Sequence, residues 1–523
     1  MEPQTAVETV KQRYDRLVTA RAPFLLRARS SAALTIPSLM PPDGHDGSTV
    51  LPTPFQSLGA RGVNNLSAKL LLALLPPNNP CFRYSINDDK VPELATQPEL
   101  KTQIEEALGK MERRVKQDID TSNIRTVTFE VLKQLIVSGN ILAYLPPEGG
   151  MKSFRLDRYV VKRDQMGNML ETVVKEDVHP LGLTREVRTV CKVIASATTT
   201  EKNVSVYTHI RRSAVAKVYQ ITQEINGIEV PGSQGSYPLD KLPWLALRFT
   251  SIDNEDYGRG FIEEYFGDLR SLEGLSQAIV EGSAAAAKVL FLVNPNGVTT
   301  EKTVADSPNG AVKPGKRDDV TVLQMEKFND FRVALETIKG ITERLSFAFM
   351  LQSSVQRNGE RVTAEEIRYL AGELEDSLGG VYSVLSQEFQ LPLVRVIGHR
   401  LERQGKLPVL PAGVVEPTIT TGLEALGRGY DLSRLDAFVK HMEPMSQPGA
   451  DKYIHVDDYA KRVGTALSID LAGLVKTADE RAEDDRRAAQ LSAMSAAAGP
   501  AVNAIGGIAK QAMANGAAPQ AAP

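Results

Sequence analysis

QSSVQRNGERVTAEEIRYL, residues 352–370, is the stretch from which the architecture can be read. Its centre, Gln356 to Arg361, is a polar hexamer lying between two long amphipathic patterns. Directly after it, Thr363 and Glu366 have the spacing of a capping box, in which each side chain satisfies a free backbone N–H at a helix N-terminus. The stretch therefore predicts two long helices joined by a short exposed loop containing Gly359. Such a loop has no core to fill. Its two arginines, Arg357 and Arg361, suit contact with an anion.

Working outward, the helix before the loop shows Phe331, Leu335, Ile338, Ile341 and Leu345 on one face. The longer helix after it carries Ile367, Leu370, Leu374, Leu378, Val381, Leu385 and Phe389, with Pro392 placed to kink it. Further upstream Phe261, Tyr265, Leu269, Leu272, Leu275 and Ile279 recur at three and four, again one helical face. The residues that follow, Gly282, Ser283, Ala284 and Ala286 among them, offer almost no bulk and suit close approach by another helix, from a neighbouring subunit or from the same chain. A continuous helix over 260–292 would be roughly 50 Å long. From Asn294 to Asp330 prolines and glycines break the pattern, and Lys313, Lys316 and Arg317 add charge. The middle of the chain thus reads as a long helical hairpin with a small exposed module at its tip and the arginine loop at its base.

The flanks are simpler. Residues 1–145 read as mostly helical, with apolar faces near Tyr14, over Asn64–Leu75, over Ile104–Ile119 and over Val127–Leu142. Residues 151–250 read as strands, with turn signals at Gln165-Met166-Gly167-Asn168 and Asn226-Gly227. A small helical module runs from Pro408 to about Asp485, and the Ala-, Gly-, Met- and Gln-rich end suits either a packing helix or disorder.

Several classes are disfavoured. A net charge of −3 argues against gripping nucleic acid by bulk electrostatics. Cys81 and Cys191 do not make a disulfide framework and read as reduced thiols of a cytosolic protein. The N-terminus lacks a signal-peptide pattern, and the longest apolar run near Leu70 stops at Pro76-Pro77, so no membrane contact is expected. Gly-Lys at 109, 315 and 405 is followed by Met111, Arg317 and Leu407, which rules out a phosphate-binding P-loop. Tyr257-Gly258-Arg259-Gly260 lacks the third glycine of a dinucleotide fingerprint and reads as a hinge into the helix. The six histidines have no zinc spacing, and the paired carboxylates at 263–264, 365–366 and 457–458 read as solvated helix faces. No catalytic residue, metal or cofactor is called for.

Four stretches, 55–74 (FQSLGARGVNNLSAKLLLAL), 260–281 (GFIEEYFGDLRSLEGLSQAIVE), 344–396 (beginning RLSFAFMLQSSVQRNGERVTAEE) and 416–429 (EPTITTGLEALGRG), carry a family likeness. The chain resembles the portal protein, or head-to-tail connector, of short-tailed, podovirus-type bacteriophages, over roughly residues 10–480. The resemblance implies an α+β, mainly α fold assembled as a ring of about twelve subunits at one capsid vertex. It implies a wing over 1–257, stem helices over 258–292 and 331–351, a clip over 293–330 and a tunnel loop over 352–362. A long wing/crown helix over 363–410, a crown over 411–485 and a tail over 486–523 complete it. It also implies double-stranded DNA, the terminase large subunit, scaffolding protein, major capsid protein, a tail adaptor and internal core proteins as partners. Assembly would take place in host cytoplasm, with the ring ending in the virion.

A DNA channel must not hold its cargo. Duplex DNA carries one charge per ~1.7 Å, so a lysine-lined wall would fix it in place. A near-neutral wall with a thin ring of movable positive groups lets it slide. Gln356, Arg357, Asn358, Gly359 and Arg361 would form that ring, touching phosphates without reading bases. The plainer alternative pairs the arginines with carboxylates of a neighbouring subunit. Lys313, Lys316 and Arg317 would dock a motor and then a tail, unless they serve only loop solubility. A nucleic-acid-processing enzyme subunit is the alternative function, and the missing motifs speak against it. A membrane pore would need an apolar span or a lipid-facing barrel.

Overall fold

The computed structural model describes residues 8–77, 81–86, 98–193, 203–286, 290–323, 328–351, 380–407 and 415–419, with 440 and 486. The chain divides into two compact units, 1–426 and 427–523; in the second only Lys440 and Arg486 are described, both helical.

Helices come first: α1 (Val10–Ala33), α2 (Leu58–Leu74), then a strand β1 (Phe82–Ile86), α3 (Pro98–Thr121) and α4 (Ile124–Ser138). The strand-rich block holds β2 (Asn140–Tyr144), β3 (Lys152–Phe154), β4 (Tyr159–Arg163), β5 (Met169–Val178) and a short α5 (Arg185–Val190). It continues with β6 (Val204–Arg212), β7 (Val218–Ile225), β8 (Ile228–Glu229), β9 (Gly235–Pro238) and β10 (Trp244–Arg248). Next come α6 (Phe261–Glu264), α7 (Phe266–Ala286), β11 (Leu290–Val293), α8 (Glu301–Ala305), β12 (Val320–Leu323) and α9 (Phe328–Ala348). The last described elements are α10 (Gly380–Leu385), α11 (Leu391–Arg403) and β13 (Val415–Ile419).

Both turn signals form hairpins. Gly167 takes a left-handed φ of 80° between antiparallel β4 and β5, and Asn226 (53°) and Gly227 (76°) turn β7 into β8. The larger antiparallel sheet runs β4-β5-β6-β7-β8, with β9 pairing Val218–Ile221 of β7 alongside β8. Helix α1 lies on this sheet through Tyr14, which packs with Val160, Val173 and Tyr207. The sheet also caps the helix: the Glu224 carboxylate accepts the Val10 and Lys11 N–H groups at 2.8 and 3.2 Å. Arg13 bonds Glu171, which also meets His209 Nε2 at 2.8 Å.

The main core gathers α2, α4 and the small sheet β10-β2-β3. Val127–Leu142 is not one helix: α4 ends at Ser138, Gly139 turns left-handed at φ 71°, and Asn140 begins β2. Gly139 is also where two backbones cross. The Asn140 side-chain amide donates to Gly258 O and accepts the Gly258 N–H, at 2.8 and 2.7 Å. A Cβ on Gly258 or Gly260 would strike carbonyl oxygens of the other segment at 2.8 and 2.7 Å. The glycines read as a hinge thus serve a tight crossing.

Pro392 was read as a kink. The ladder before it widens to a π turn over Ser386–Gln390, closed by Leu391 N–H to Ser386 O, because a proline nitrogen leaves its carbonyl partner without a donor. Cys81 and Cys191 are both buried and unpaired. No helix among the described residues is long and apolar enough to cross a membrane.

Candidate functional site

The helical hairpin grows from an aromatic root. Phe349, fully buried, meets Phe261 edge-on at 5.8 Å and Tyr265 at 6.2 Å, and Phe261 in turn meets Phe249 at 5.9 Å. Gly62 of α2 lies under Phe349: a Cβ there would sit 2.4 Å from the ring. Residues 258–292 are not one continuous helix. A break at Tyr265, whose N–H bonds back to Ile262 O, separates α6 from α7 and leaves the Tyr265 ring 5.0 Å from Phe261.

Helices α7 and α9 run antiparallel. Asp268 pairs with Arg344 near the root at 2.9 Å, and Gly282 faces Phe331 near the tip. The hydrogen bond to Asp268 pushes the Arg344 guanidinium further up from its ordinary value. Burial fades along the pair. Leu269, Leu272, Ile341 and Leu345 are buried, whereas Val280, Val333 and Leu335 are each more than half exposed. Leu335 was read as part of the inward face and is 54% exposed. The groove between the helices is lined by Ser271, Gly274, Leu275, Thr337, Gly340 and Ile341. A Cβ on Gly274 or Gly340 would meet nothing within 4 Å, so the groove is open.

Of the residues read as packing points, Gly282 is used within the chain: a Cβ would lie 2.7 Å from the Phe331 ring. Ser283 and Ala284 are exposed, and α7 ends at Ala286. The expected helix to 292 fails because Leu290–Val293 is strand β11, paired antiparallel with β12 (Leu290 opposite Leu323). Beyond this ribbon the tip is ordered by one buried acid. The Asp319 carboxylate accepts the Thr299 N–H at 3.0 Å, and Thr299 Oγ1 accepts the Lys316 N–H at 3.1 Å. Lys313, Lys316 and Arg317 are exposed on the segment so held.

Gln356, Arg357, Asn358, Gly359 and Arg361, with the Thr363–Glu366 capping box, lie outside the described residues. What is described is how the chain leaves α9 toward them. Leu351 N–H donates to Ser346 O and Met350 N–H to Phe347 O, at 2.8 and 2.9 Å, the paired bonds of a Schellman ending. Met350 takes the left-handed position usually held by glycine, at φ 53°. Two side chains of α2 hold this ending. Asn65 Nδ2 donates to Phe349 O and Met350 O at 3.0 and 3.1 Å, and Lys69 Nζ to Met350 O at 3.0 Å. Lys69 is 5% exposed. Sequence reasoning missed this seat, although a lysine between Leu66 and Leu70 on an apolar helix face was a visible signal.

Among the described residues no cluster of His, Cys, Asp and Glu is arranged to hold a metal ion. The site is one of packing faces and exposed tips.

Comparison with known proteins agrees with that character. The sequence model of the family described as "Bacteriophage head to tail connecting protein" matches residues 7–475. The curated portal protein of Escherichia phage T7 is 44% identical over 91% of this chain and 90% of its own length. That of Enterobacteria phage T3 is 43% identical over 90% and 89%, and that of Pseudomonas phage phiKMV 31% over 90% and 93%. Among solved structures, the neck of an empty gene transfer agent particle aligns over 79% of this chain and 90% of that chain. Its identity is 10% and its TM-score 0.38. With the family pattern spanning residues 7–475 and curated relatives matching about nine-tenths of the chain, it belongs to the bacteriophage head to tail connecting proteins.

Proposed function

We propose that this chain is one stave of a ring-shaped portal at a single capsid vertex, through which double-stranded DNA enters during packaging and leaves during ejection. The observation that carries this reading is the likeness to curated portal proteins, 44% identity across nine-tenths of both chains. The geometry suits it. A helix pair anchored at one end by aromatic packing, with unburied Val280, Val333 and Leu335 and an open groove toward the other, is built to pack sideways against copies of itself.

In this reading α7 and α9 form the stem and the β11–β12 ribbon with its loops forms the clip. Lys313, Lys316 and Arg317 on the clip meet the terminase motor and later the tail adaptor. Ser283 and Ala284 face a neighbouring stem. Arg357 and Arg361 line the passage and touch phosphates weakly and without sequence preference. Scaffolding, major capsid and internal core proteins contact the ring from the head side. The chain works as a conduit and leaves hydrolysis to the motor.

Electron microscopy of the purified protein tests this directly. Hollow discs with a stalk, about twelve subunits round, are expected. A stable monomer under capsid-assembly conditions would overturn it.

A further inference from the structure

We infer that Asn65 and Lys69 of α2 are positioning residues for DNA handling, because they fix the point and direction at which the chain leaves α9. This rests on the portal reading, in which the arginine-bearing segment after that exit meets DNA.

Three observations converge on the exit. The first is strain: Met350 carries a β-carbon in the left-handed region, which a side-chain-bearing residue adopts only when its surroundings over-determine it. The second is the source of that over-determination. The carbonyl groups at the end of a helix lack intrahelical donors. Here Phe349 O and Met350 O receive three hydrogen bonds from a different helix, all from Asn65 and Lys69. The third is the tightness of the seat. Gly62, one turn before, admits the Phe349 ring so closely that no side chain fits between them, and Phe349 is fully buried.

A solvent-exposed helix end needs none of this, since water satisfies its carbonyls. Burying a lysine to do the work of water is unfavourable for the fold unless something is gained by rigidity. Helix α9 ends against α2, a helix of the main core, and so its exit cannot swing independently of the body. The gain we assign is aim: arginines six and ten residues past Leu351 in sequence act on DNA only if every subunit of a ring delivers them to the same radius.

The test replaces Asn65→Leu and Lys69→Met together, changes of similar volume that remove all three donors. Native mass spectrometry measures ring yield, amide hydrogen exchange reports Met350 and Leu351, and procapsids carrying the variant ring are scored for filled heads. Unchanged ring yield, exchange about tenfold faster at these two amides and a similar fall in filled heads are expected. Asn65→Leu alone should give a smaller change in the same direction. Faster exchange with wild-type filling would overturn the inference, as would unchanged exchange. Failure of both variants to assemble would make the seat a folding element and overturn it too. Wild-type rings that never support filling would instead sink the portal reading beneath it.

Discussion

Gly139→Ala puts the backbone crossing to a quantitative test. A methyl at Gly139 would sit 2.3 Å from the Arg259 carbonyl carbon, 2.5 Å from Gly260 N and 2.7 Å from Arg259 O. All three are main-chain atoms, so no side chain can rotate away. Ordinary contact needs ~3.5–4 Å, so the two segments must part by about 1 Å. That separation breaks the paired Asn140–Gly258 bonds and strains Phe249 N–H to Gly139 O, 3.0 Å long. Three buried hydrogen bonds at ~1 kcal/mol each, plus ~1–2 kcal/mol for alanine at φ 71°, give a loss of ~4–5 kcal/mol. Such a loss is a large part of a domain's whole stability. The assay has a built-in reporter. Trp244, the single tryptophan, lies on β10 opposite Tyr144 of β2, its ring stacked at 3.9 Å on a strand that begins next to Gly139. Urea titration followed by its fluorescence should show the midpoint falling steeply. Gly109→Ala, on α3 where a Cβ meets nothing within 4 Å, should instead raise stability by up to ~1 kcal/mol. A Gly139→Ala protein within ~1 kcal/mol of wild type would refute the steric reasoning.

Other outcomes follow from the hairpin and the sheet. Asp319→Ala should open the tip locally by ~1–3 kcal/mol, seen as faster amide exchange at Thr299 and Lys316, while protection of the main core stays as it was. Val333→Glu with Leu335→Glu should leave thermal unfolding of the chain near wild type and abolish ring formation by native mass spectrometry; rings of normal yield would show that this face is not an interface. Arg357→Ala with Arg361→Ala should spare rings, lower DNA retention and flatten its salt dependence; loss of rings would make the loop structural. For Glu171, burial pushes the pKa up, but hydrogen bonds from His209 and Arg13 overcome it and hold the acid at about 2, against an ordinary 4.5. A depressed carboxylate stabilises fully above its unfolded value and loses that contribution as pH falls through its folded value. The hold of α1 on the sheet should therefore weaken from about pH 4.5 toward 2, and Glu171→Gln should remove that acid window in a pH-dependent unfolding series.

Much of the fold is legible because helices and hairpins announce themselves locally. The three-and-four spacing of Leu269, Leu272 and Leu275, and the turn residues at Gly167 and Asn226-Gly227, are read within a few positions of chain. The misreadings share one cause: apolar runs carry no period of their own. Asn140-Ile141-Leu142 follows the α4 pattern without interruption, and only Gly139 marks the change to strand. Leu290–Val293 follows an alanine run with no breaker, so the sequence alone predicts a continuing helix there. The candidate site was legible in part. Charge and glycine exposed the tip residues Lys313, Lys316 and Arg317, but the Asp319 lock beneath them depends on a contact with Thr299 across the tip. The α2 seat lies further still from sequence logic, since Asn65 and Phe349 are brought together only by the packed core.

One pairing has a consequence for how the chain is made. β1 aligns with β13, Phe82 opposite Ile419, so the partner of an early strand emerges from the ribosome about 330 residues later. At about 5–20 residues per second, Phe82–Ile86 waits roughly 15–70 s with the edge that β13 will cover unclaimed, although Glu112 of α3 already takes the Tyr84 N–H. Nascent chains crowded on one messenger share that interval. A strand that must stay single so long invites pairing with the same strand of a neighbour, and protection by a chaperone, or slow initiation, would decide how many finished subunits reach a ring.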